Sequence, residues 1–459
     1  MRPGAFGSLF LAGVYNGLNY STPSHRADIP RTTGLTLGCP QKGICTALGA
    51  AIDFRRAIYF NRTLIDAPGC ANTIIEQATY AHRVHRELLV LEISARGAGP
   101  SWAGCDALVD WPLDPAATND LALRSLGNIS GASIWAGNTV LPEEPELHVR
   151  SVVVVFDMWA SDASESHTLR LTPTEPQLLL RTVARSDLDV GASDVASVAS
   201  AALDTWATYE RIPPTQLRAE HEAAWAALWA SGGIELQGNT TLAAAVNASL
   251  YDILCSIRSD WAWASLTPGG LGTNGYDGHS FWDAETWIEP PLDMLFPDLA
   301  AGVTAYRLAR LDAAVSRAQL NGFEGAFWPW ESAFSGHDVS GDRRNDLYEQ
   351  HIGADIALAT RKLYYATRNE SYLAAVWPLL NATCTFWACR FTRSDTRAFN
   401  TTAQACSPKD GTGNFTIRGL VPPGTLLYGP PSHPPLRSEL SGESIRARFC
   451  AVMRCVVLR

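Results

Sequence analysis

The fold is decided by residues 214–258, which read PTQLRAEHEAAWAALWASGGIELQGNTTLAAAVNASLYDILCSIR. Apolar residues recur here with the period of a helix that buries one face. Pro214 suits a first helical turn, since its missing N–H is not needed there. We predict that this helix ends at Gly232 and Gly233, that a short strand covers 234–236, and that a second helix covers 240–258. The predicted buried faces are Trp225, Leu228 and Trp229 in the first helix and Leu242, Val246, Leu250 and Ile253 in the second.

The sequence before this stretch is strand-like. Runs rich in β-branched and aromatic residues cover 9–15, 87–94, 147–159 and 177–183, with Gly, Pro, Asp and Ser clusters between them. Helical periodicity is missing between these runs, which argues against βαβ units. We therefore predict an antiparallel β-sandwich over 1–184, followed by helical sequence from residue 185 onward.

Helical spacing continues after residue 258, over 298–320, 347–367 and 371–391. The connections hold most of the unusual residues: GHSFWDAETWIEPP at 278–291 and FWPWESAFSGHD at 327–338. When helices form a packed double ring, the loops at one end converge on a central cavity. We therefore expect the functional site in these connections.

Composition and charge exclude several classes of partner. Apolar residues make up 46% and charged residues 18%, which is typical of a folded protein, and the net charge of -10 argues against nucleic acid. The best apolar run, 152–156, is far too short to cross a membrane. The ten cysteines include no CxxC pair, and Glu349 and His351 lack the HExxH spacing, so we predict no metal and no cofactor.

The sequence indicates the cellular compartment less clearly than it indicates the class of partner. The excess of Asn-x-Ser/Thr sites favours a secretory or lysosomal protein, while the first residues only superficially resemble a signal peptide, which leaves a cytoplasmic location open. Disulfide pairing and oligomeric state also stay open. The sites are Asn19, Asn61, Asn128, Asn239, Asn247, Asn369, Asn381, Asn400 and Asn414.

The two aromatic-rich connections have the chemistry of a sugar site. Aromatic faces stack on the apolar face of a pyranose, and carboxylates or imidazoles bind its hydroxyls. The alternatives are ordinary: Glu285 and Glu289 as solvated or capping residues, Trp287 as core, and His279, His337 and His351 as structural histidines. For Trp328 and Trp330 the alternatives are packing of the aromatic cluster, or one of the two rings facing the sugar. The predicted substrate-binding residues are Trp282, Asp283, Glu285, Trp330, Glu331, Glu349 and His351.

Several motifs together resemble glycoside hydrolase family 65, in its acid-trehalase-like branch. They are LAGVYNG (11–17), SHRADIP (24–30), residues 221–254, GHSFWDAETWIEPP, GAFWPWESAFSG (325–336), EQHIGADIAL (349–358) and NFTIRGLVPP (414–423). The resemblance implies an N-terminal β-sandwich and an (α/α)6 barrel, with a helical linker and the start of the barrel over 185–258. It also implies that Trp282 and Asp283 hold the glucosyl unit at the cleavage subsite, with Asp283 accepting sugar hydroxyls.

The chain departs from the family pattern after Pro423. The family's general acid is a Glu in an Asp-Glu-Tyr triplet at this point, whereas this chain continues Gly424-Thr425-Leu426-Leu427-Tyr428. We therefore name no catalytic residue, and interpret 259–423 as a partial catalytic barrel and 424–459 as an aberrant tail. The N-terminal strands are interpreted as clipped.

The resemblance implies an inverting exo-α-glucosidase that acts on a glucosyl disaccharide. The glucosylgalactosyl unit on collagen hydroxylysine is the favoured substrate, and trehalose is next. Inversion needs two carboxyl groups about 6.5 to 9.5 Å apart, one as acid and one to activate water. Because that acid is missing here, a non-catalytic carbohydrate-binding remnant is the first alternative, and a disaccharide phosphorylase of the same family is the second.

Overall fold

The structure is a computed structural model that divides into two compact units. The sheet unit comprises Met1–Asn16 and Arg26–Tyr251, and the helical unit comprises Gly17–His25 and Asp252–Arg459. The predicted four-part division stays a prediction, and its tail lies outside the described residues. Residues 8–393 and 415–416 are described, except for 19–21, 31, 34–35, 39–42, 68–69, 71, 98–104, 111–117, 130, 145–146, 158–166, 173–176, 264–265, 272–274, 342–346 and 391.

The N-terminal region is an antiparallel sheet, as predicted. The strands are β1 Ser8–Leu9, β2 Tyr15–Leu18, β3 Thr22–Arg26, β4 Ile29–Pro30, β5 Thr36–Gly38, β6 Ile44–Asp53, β7 Ile58–Asp66, β8 Thr73–Ala81, β9 Leu88–Arg96, β10 Cys105–Asp110, β11 Arg124–Ile129, β12 Ala132–Asn138, β13 Ser151–Asp157, β14 His167–Leu171, β15 Gln177–Ser186, β16 Thr392–Arg393 and β17 Phe415–Thr416. Eight strands are hydrogen-bonded in the order β11-β12-β13-β15-β9-β8-β7-β6, and a second sheet has the order β14-β10-β5. Two-stranded pairs are β1-β4, β2-β3 and β16-β17.

The inner part of the eight-stranded sheet is buried on both faces, as β13 shows, whereas its edge strands β6 and β11 are mostly exposed. Along β13, Val152 and Val154 pack into one apolar core, while Val153 and Val155 pack into the other. This follows from the two-residue period of a strand, which sends alternate side chains to opposite faces. The second core is closed by the helix Val195–Glu210, whose Trp206 also donates an indole N–H to Asp157 over 2.7 Å. A continuous apolar strand is therefore expected at this position.

The C-terminal part is helical, as predicted, and the helix starting at Pro214 is confirmed. Its Trp225 and Trp229 are buried. No helix among the described residues is both long and apolar enough to cross a bilayer. The helices are α1 Asp187–Val190, α2 Val195–Glu210, α3 Pro214–Ser231, α4 Thr240–Ser256, α5 Glu289–Leu295, α6 Pro297–Leu308, α7 Leu311–Leu320, α8 Ile352–Thr367 and α9 Glu370–Arg390, with a 3-10 turn at Gly275–Gly278 and a π-helical turn at Ala284–Ile288.

Three local predictions are wrong. Residues 234–236 form no strand, because they have no ladder partner, and Leu242 in the first turn of α4 is 51% exposed. The single helix predicted over 298–320 is two helices, α6 and α7, separated at Ala309 and Arg310. Arg310 leaves helical geometry there, and its guanidinium donates to the carbonyl oxygens of Tyr306 and Ala333.

Candidate functional site

A short bridge joins the two aromatic-rich connections in the helical unit. The N–H of Ser280 donates to the carbonyl of Ser332 over 2.8 Å, and the N–H of Ser332 donates back to Ser280 over 3.1 Å. Gly325 allows the second connection to lie against α9, since its φ is +82° and a Cβ there would collide with the backbone at Ala382 and Phe386. The FWD and WPWES motifs therefore lie side by side.

Three of the predicted sugar-site rings meet at this junction. The His351 ring lies 4.9 Å from the Trp282 ring at 90° and 5.9 Å from the Trp330 ring at 74°. Trp282 and Trp330 are partly buried against the core that α7, α8 and α9 share. Partly open indole rings of this kind can stack on a pyranose.

His351 is held between two carboxylates. Its Nδ1 lies 2.6 Å from Asp355 Oδ2, and its Nε2 lies 3.2 Å from Glu349 Oε2. The first contact is a hydrogen bond, whereas the second is close enough for an ion pair but is not aligned as a hydrogen bond. Burial lowers the pKa of His351, but the two carboxylates outweigh it and raise the pKa to about 9. The ring is therefore an imidazolium at neutral pH.

Asp283 faces the same group of charges. Partial burial raises the pKa of its carboxyl, the imidazolium of His351 acts in the opposite direction, and Asp355 adds to the increase. Asp283 begins the π-helical turn Ala284–Ile288, where its side chain makes no capping bond. A carboxylate that caps no helix keeps its acceptor capacity for a ligand.

Glu285 has a different environment from Asp283. Both of its oxygens accept hydrogen bonds from Arg307, from Nε over 2.6 Å and from Nη2 over 3.0 Å. The two side chains are almost wholly buried, and Arg307 also donates to the carbonyl of Phe281. The structure thus places Glu285 behind the rings, in a bidentate ion pair that fixes the backbone of the FWD motif.

Glu331 completes the polar boundary of the junction. Its Oε2 lies 2.8 Å from His279 Nδ1, and His279 is 1% exposed while Glu331 is 18% exposed. The buried imidazole of His279 positions the carboxylate of Glu331, which matches the structural alternative for this histidine. Glu331 retains an exposed side for a hydroxyl.

Of the two remaining tryptophans in these motifs, Trp328 is buried and Trp287 is exposed. Trp328 is 2% exposed and donates its indole N–H to Thr383, so it belongs to the core, which matches the packing alternative for this aromatic cluster. Trp287, predicted to be core, is 63% exposed. The prediction is wrong because the buried stripe of this segment runs through Glu285 and Glu289, which leaves Trp287 on the other face.

Sequence reasoning missed two residues that organise the site. Asp355 belongs to the quoted EQHIGADIAL motif, and its position four residues after His351 on a helix was a usable signal. Arg307 gave no signal, because its partner Glu285 lies on another helix. Long-range pairs of this kind cannot be read from spacing.

One group among the described residues has side chains suited to a metal. Potential ligand atoms of His82, His85 and Glu220, in the sheet unit, lie within 4.8 Å of one another. Both ring nitrogens of His82 are already in use: Nδ1 accepts from the N–H of Val84 and of His85, and Nε2 bonds to the carbonyl of Leu217 over 2.8 Å. Metal binding through His82 would break these bonds, so we assign the group a structural role.

Comparison with known proteins agrees with the geometry of the helical unit. Residues 247–408 match the model of the glycosyl hydrolase family 65 central catalytic domain. The chain is 31% identical over 401 residues to a protein-glucosylgalactosylhydroxylysine glucosidase of Dictyostelium discoideum, covering 83% of this chain and 53% of that protein. The resemblance to family 65 is confirmed.

Two further comparisons agree with this resemblance. The chain is 36% identical over 183 residues to a kojibiose hydrolase of Flavobacterium johnsoniae, which covers 39% of this chain and 27% of that protein. A putative kojibiose phosphorylase from the human microbiome has the same fold, with a TM-score of 0.72 at 12% identity over 90% of this chain and 56% of that one. The chain spans about half the length of the glucosidase relative, 53%. All the predicted sugar-site residues lie inside the matched catalytic-domain segment.

Proposed function

We propose that the junction of Trp282, Trp330 and His351 is the glucosyl-binding subsite of an inverting exo-α-glucosidase. The observation that carries the proposal is the perpendicular packing of the His351 ring against the Trp282 ring, whose centres are 4.9 Å apart. The carboxylate of Asp283, which directly follows Trp282, makes no helix-capping hydrogen bond. Indole faces supply the apolar platform, and Asp283, Glu331 and Glu349 supply acceptors for hydroxyls. The (α/α)6 barrel is the architecture that this proposal assumes.

The substrate we propose is a glucosyl disaccharide, with the glucosylgalactosyl unit of collagen hydroxylysine first and trehalose second. The support is the name of the relative from Dictyostelium discoideum, at 31% identity. Kojibiose is a further disaccharide to test, because a relative at 36% identity is a kojibiose hydrolase. Each substrate places a glucosyl unit at the non-reducing end, which is the part that the junction would hold.

Sugar binding is tested first, because it does not depend on turnover. Glucose is titrated into the full chain by isothermal calorimetry, and into Trp282→Ala and Asp283→Asn. We expect wild type to bind and each variant to bind at least about tenfold more weakly, which corresponds to the loss of one good contact. Trp377→Ala is the matched control, since Trp377 is 42% exposed on α9 and is not part of the junction. Unchanged affinity in both site variants would place the sugar elsewhere.

Turnover then separates the candidate functions. Glucose release from the glucosylgalactosyl disaccharide, kojibiose and trehalose is followed by NMR, which distinguishes the β-anomer expected from inversion. Release that Asp283→Asn abolishes supports the hydrolase and overturns the binding remnant. Release that requires added phosphate and yields glucose phosphate supports a phosphorylase. Binding without release supports the remnant.

A further inference from the structure

Asp355 is linked to His351 through both the backbone and the side chain. It lies in the first turn of α8, its N–H donates to the carbonyl of His351 over 3.1 Å, and its Oδ2 lies 2.6 Å from His351 Nδ1. A carboxylate in a first turn is favoured by the helix dipole. The bond therefore fixes the plane of the imidazole and the nitrogen that faces Asp355.

The opposite edge of the same ring meets Glu349, whose side chain is 3% exposed. Neither Glu349 Oε2 nor His351 Nε2 has an aligned hydrogen-bond partner, although the two atoms are 3.2 Å apart. A buried donor and acceptor in this state have unused hydrogen-bonding capacity. Asp355 is thus the partner that orients the ring, and Glu349 is the partner that still has capacity for a hydroxyl.

The orientation of His351 matters because two tryptophans pack against it. Trp282 meets the ring at 90° and Trp330 meets it at 74°. Perpendicular contact with a cationic ring is attractive for an indole π-system. If the imidazole rotated or lost its proton, its contacts with both indole rings would weaken, and the rings would no longer be held in their present orientations.

We propose that Asp355 is the positioning residue of the sugar subsite: it holds His351 charged and oriented, and His351 in turn fixes the rings of Trp282 and Trp330. This inference rests on the proposed function. Asp355 acts through His351 and does not touch the sugar. The other charged groups that act on this cluster are Glu349 beside the ring and Asp283 and the Arg307–Glu285 pair from the facing helices. The carboxylates of Asp355 and Glu349 sustain the imidazolium against burial.

The test compares Asp355→Asn with wild type by two readouts. NMR titration of the His351 ring is expected to give a midpoint near the value of about 9 in wild type, and at least about one unit lower in the variant. Glucose affinity is expected to be about tenfold weaker in the variant at mildly alkaline pH, and to recover to within about threefold of wild type in mild acid, where His351 is protonated again.

Two controls separate positioning from a loss of helix stability. Asp355→Glu keeps the carboxylate and is expected to restore most of the affinity. Asp312→Asn removes an exposed first-turn acid from α7, where no histidine is paired with it, and is expected to change neither readout. An unchanged His351 titration in Asp355→Asn overturns the proposal, and so does an affinity loss that acid does not reverse. If wild type binds no glucose, the proposed function fails and the sugar role of Asp355 fails with it, while the His351 titration still reports their coupling.

Discussion

Burial shifts the pKa values of two groups of titratable side chains, one in each unit, in opposite directions. In the sheet unit, His221 bonds to the carbonyl of Arg56 through Nε2 over 2.7 Å and accepts the N–H of Arg83 at Nδ1. Burial lowers its pKa to about 4, and it also lowers the pKa of His82. These rings are neutral bases whose nitrogens are all used by the backbone.

In the helical unit, Glu289 is completely buried and neither of its oxygens has a hydrogen-bond partner. Burial raises its pKa well above the usual value, and Asp293, one helical turn later, increases it further. Burial also raises the pKa of Asp293 to about 6, against the nearby charge of Lys362. Glu289 is therefore a neutral acid with unused hydrogen-bonding capacity, whereas Asp293, with a pKa of about 6, is mostly ionised at neutral pH.

This difference distinguishes buried groups that have a structural role from buried groups that could bind a ligand. Polar groups that the backbone satisfies, such as His82 and His221, hold elements together and need nothing further. A buried polar group with unused capacity, such as Glu289, raises the free energy of the folded chain unless a proton or a ligand satisfies it. Such groups are expected where a protein binds something, and here Glu289 directly follows the π-helical turn Ala284–Ile288 that begins at Asp283.

The largest expected effect comes from breaking the ion pair that distinguishes Glu285 from Glu289. In Arg307→Met, Glu285 becomes a second buried carboxyl without a partner, and we expect the free energy of unfolding to fall by about 3–5 kcal/mol. Urea denaturation monitored by tryptophan fluorescence measures this. Glu285→Leu combined with Arg307→Met is expected to recover most of the loss. Equal loss in the single and double variants would contradict an electrostatic origin.

A smaller effect is expected from removing Glu289. The pKa of Glu289 is raised in the folded chain. The folded chain is therefore more stable in acid, where Glu289 is protonated, and it loses this stability as the pH rises through the folded pKa. Glu289→Leu should therefore stabilise the helical unit by about 1–3 kcal/mol at neutral pH and have little effect in acid. Glu324→Leu, at an exposed position of the same unit, is the control. A gain that is equal at both pH values would indicate hydrophobic burial rather than titration.

The smallest effect is the reverse pH response of the sheet unit. Because the folded pKa of His221 is lowered to about 4, its contribution is complete above the unfolded value of 6.5 and is lost as the pH falls. The free energy of local opening of α3 should fall by about 1 kcal/mol between about pH 6.5 and about pH 5.5. Hydrogen exchange of peptides from α3, corrected for intrinsic rates, measures this change. Protection that is constant over this interval would contradict it.

The sequence predicted the sequential order of the architecture well. The continuous apolar run at 152–156 and the helical period after Pro214 are local, and each follows from which side chains can be buried. Local reasoning failed at Leu242 and Trp287. Each is apolar and was expected to be buried, but the face that it occupies is set by the direction in which the whole helix or π-helical turn packs.

By itself, the sequence determined that strands precede helices, that the chain resembles family 65, and that aromatic and acidic residues are concentrated in two connections. These are properties of composition and spacing along the chain. Only the tertiary structure decided that Ser280 pairs with Ser332, that Arg307 neutralises Glu285, and that His351 stands between Asp355 and the two tryptophans. The physical reason is that such contacts depend on distance and angle between helices, which no single segment encodes.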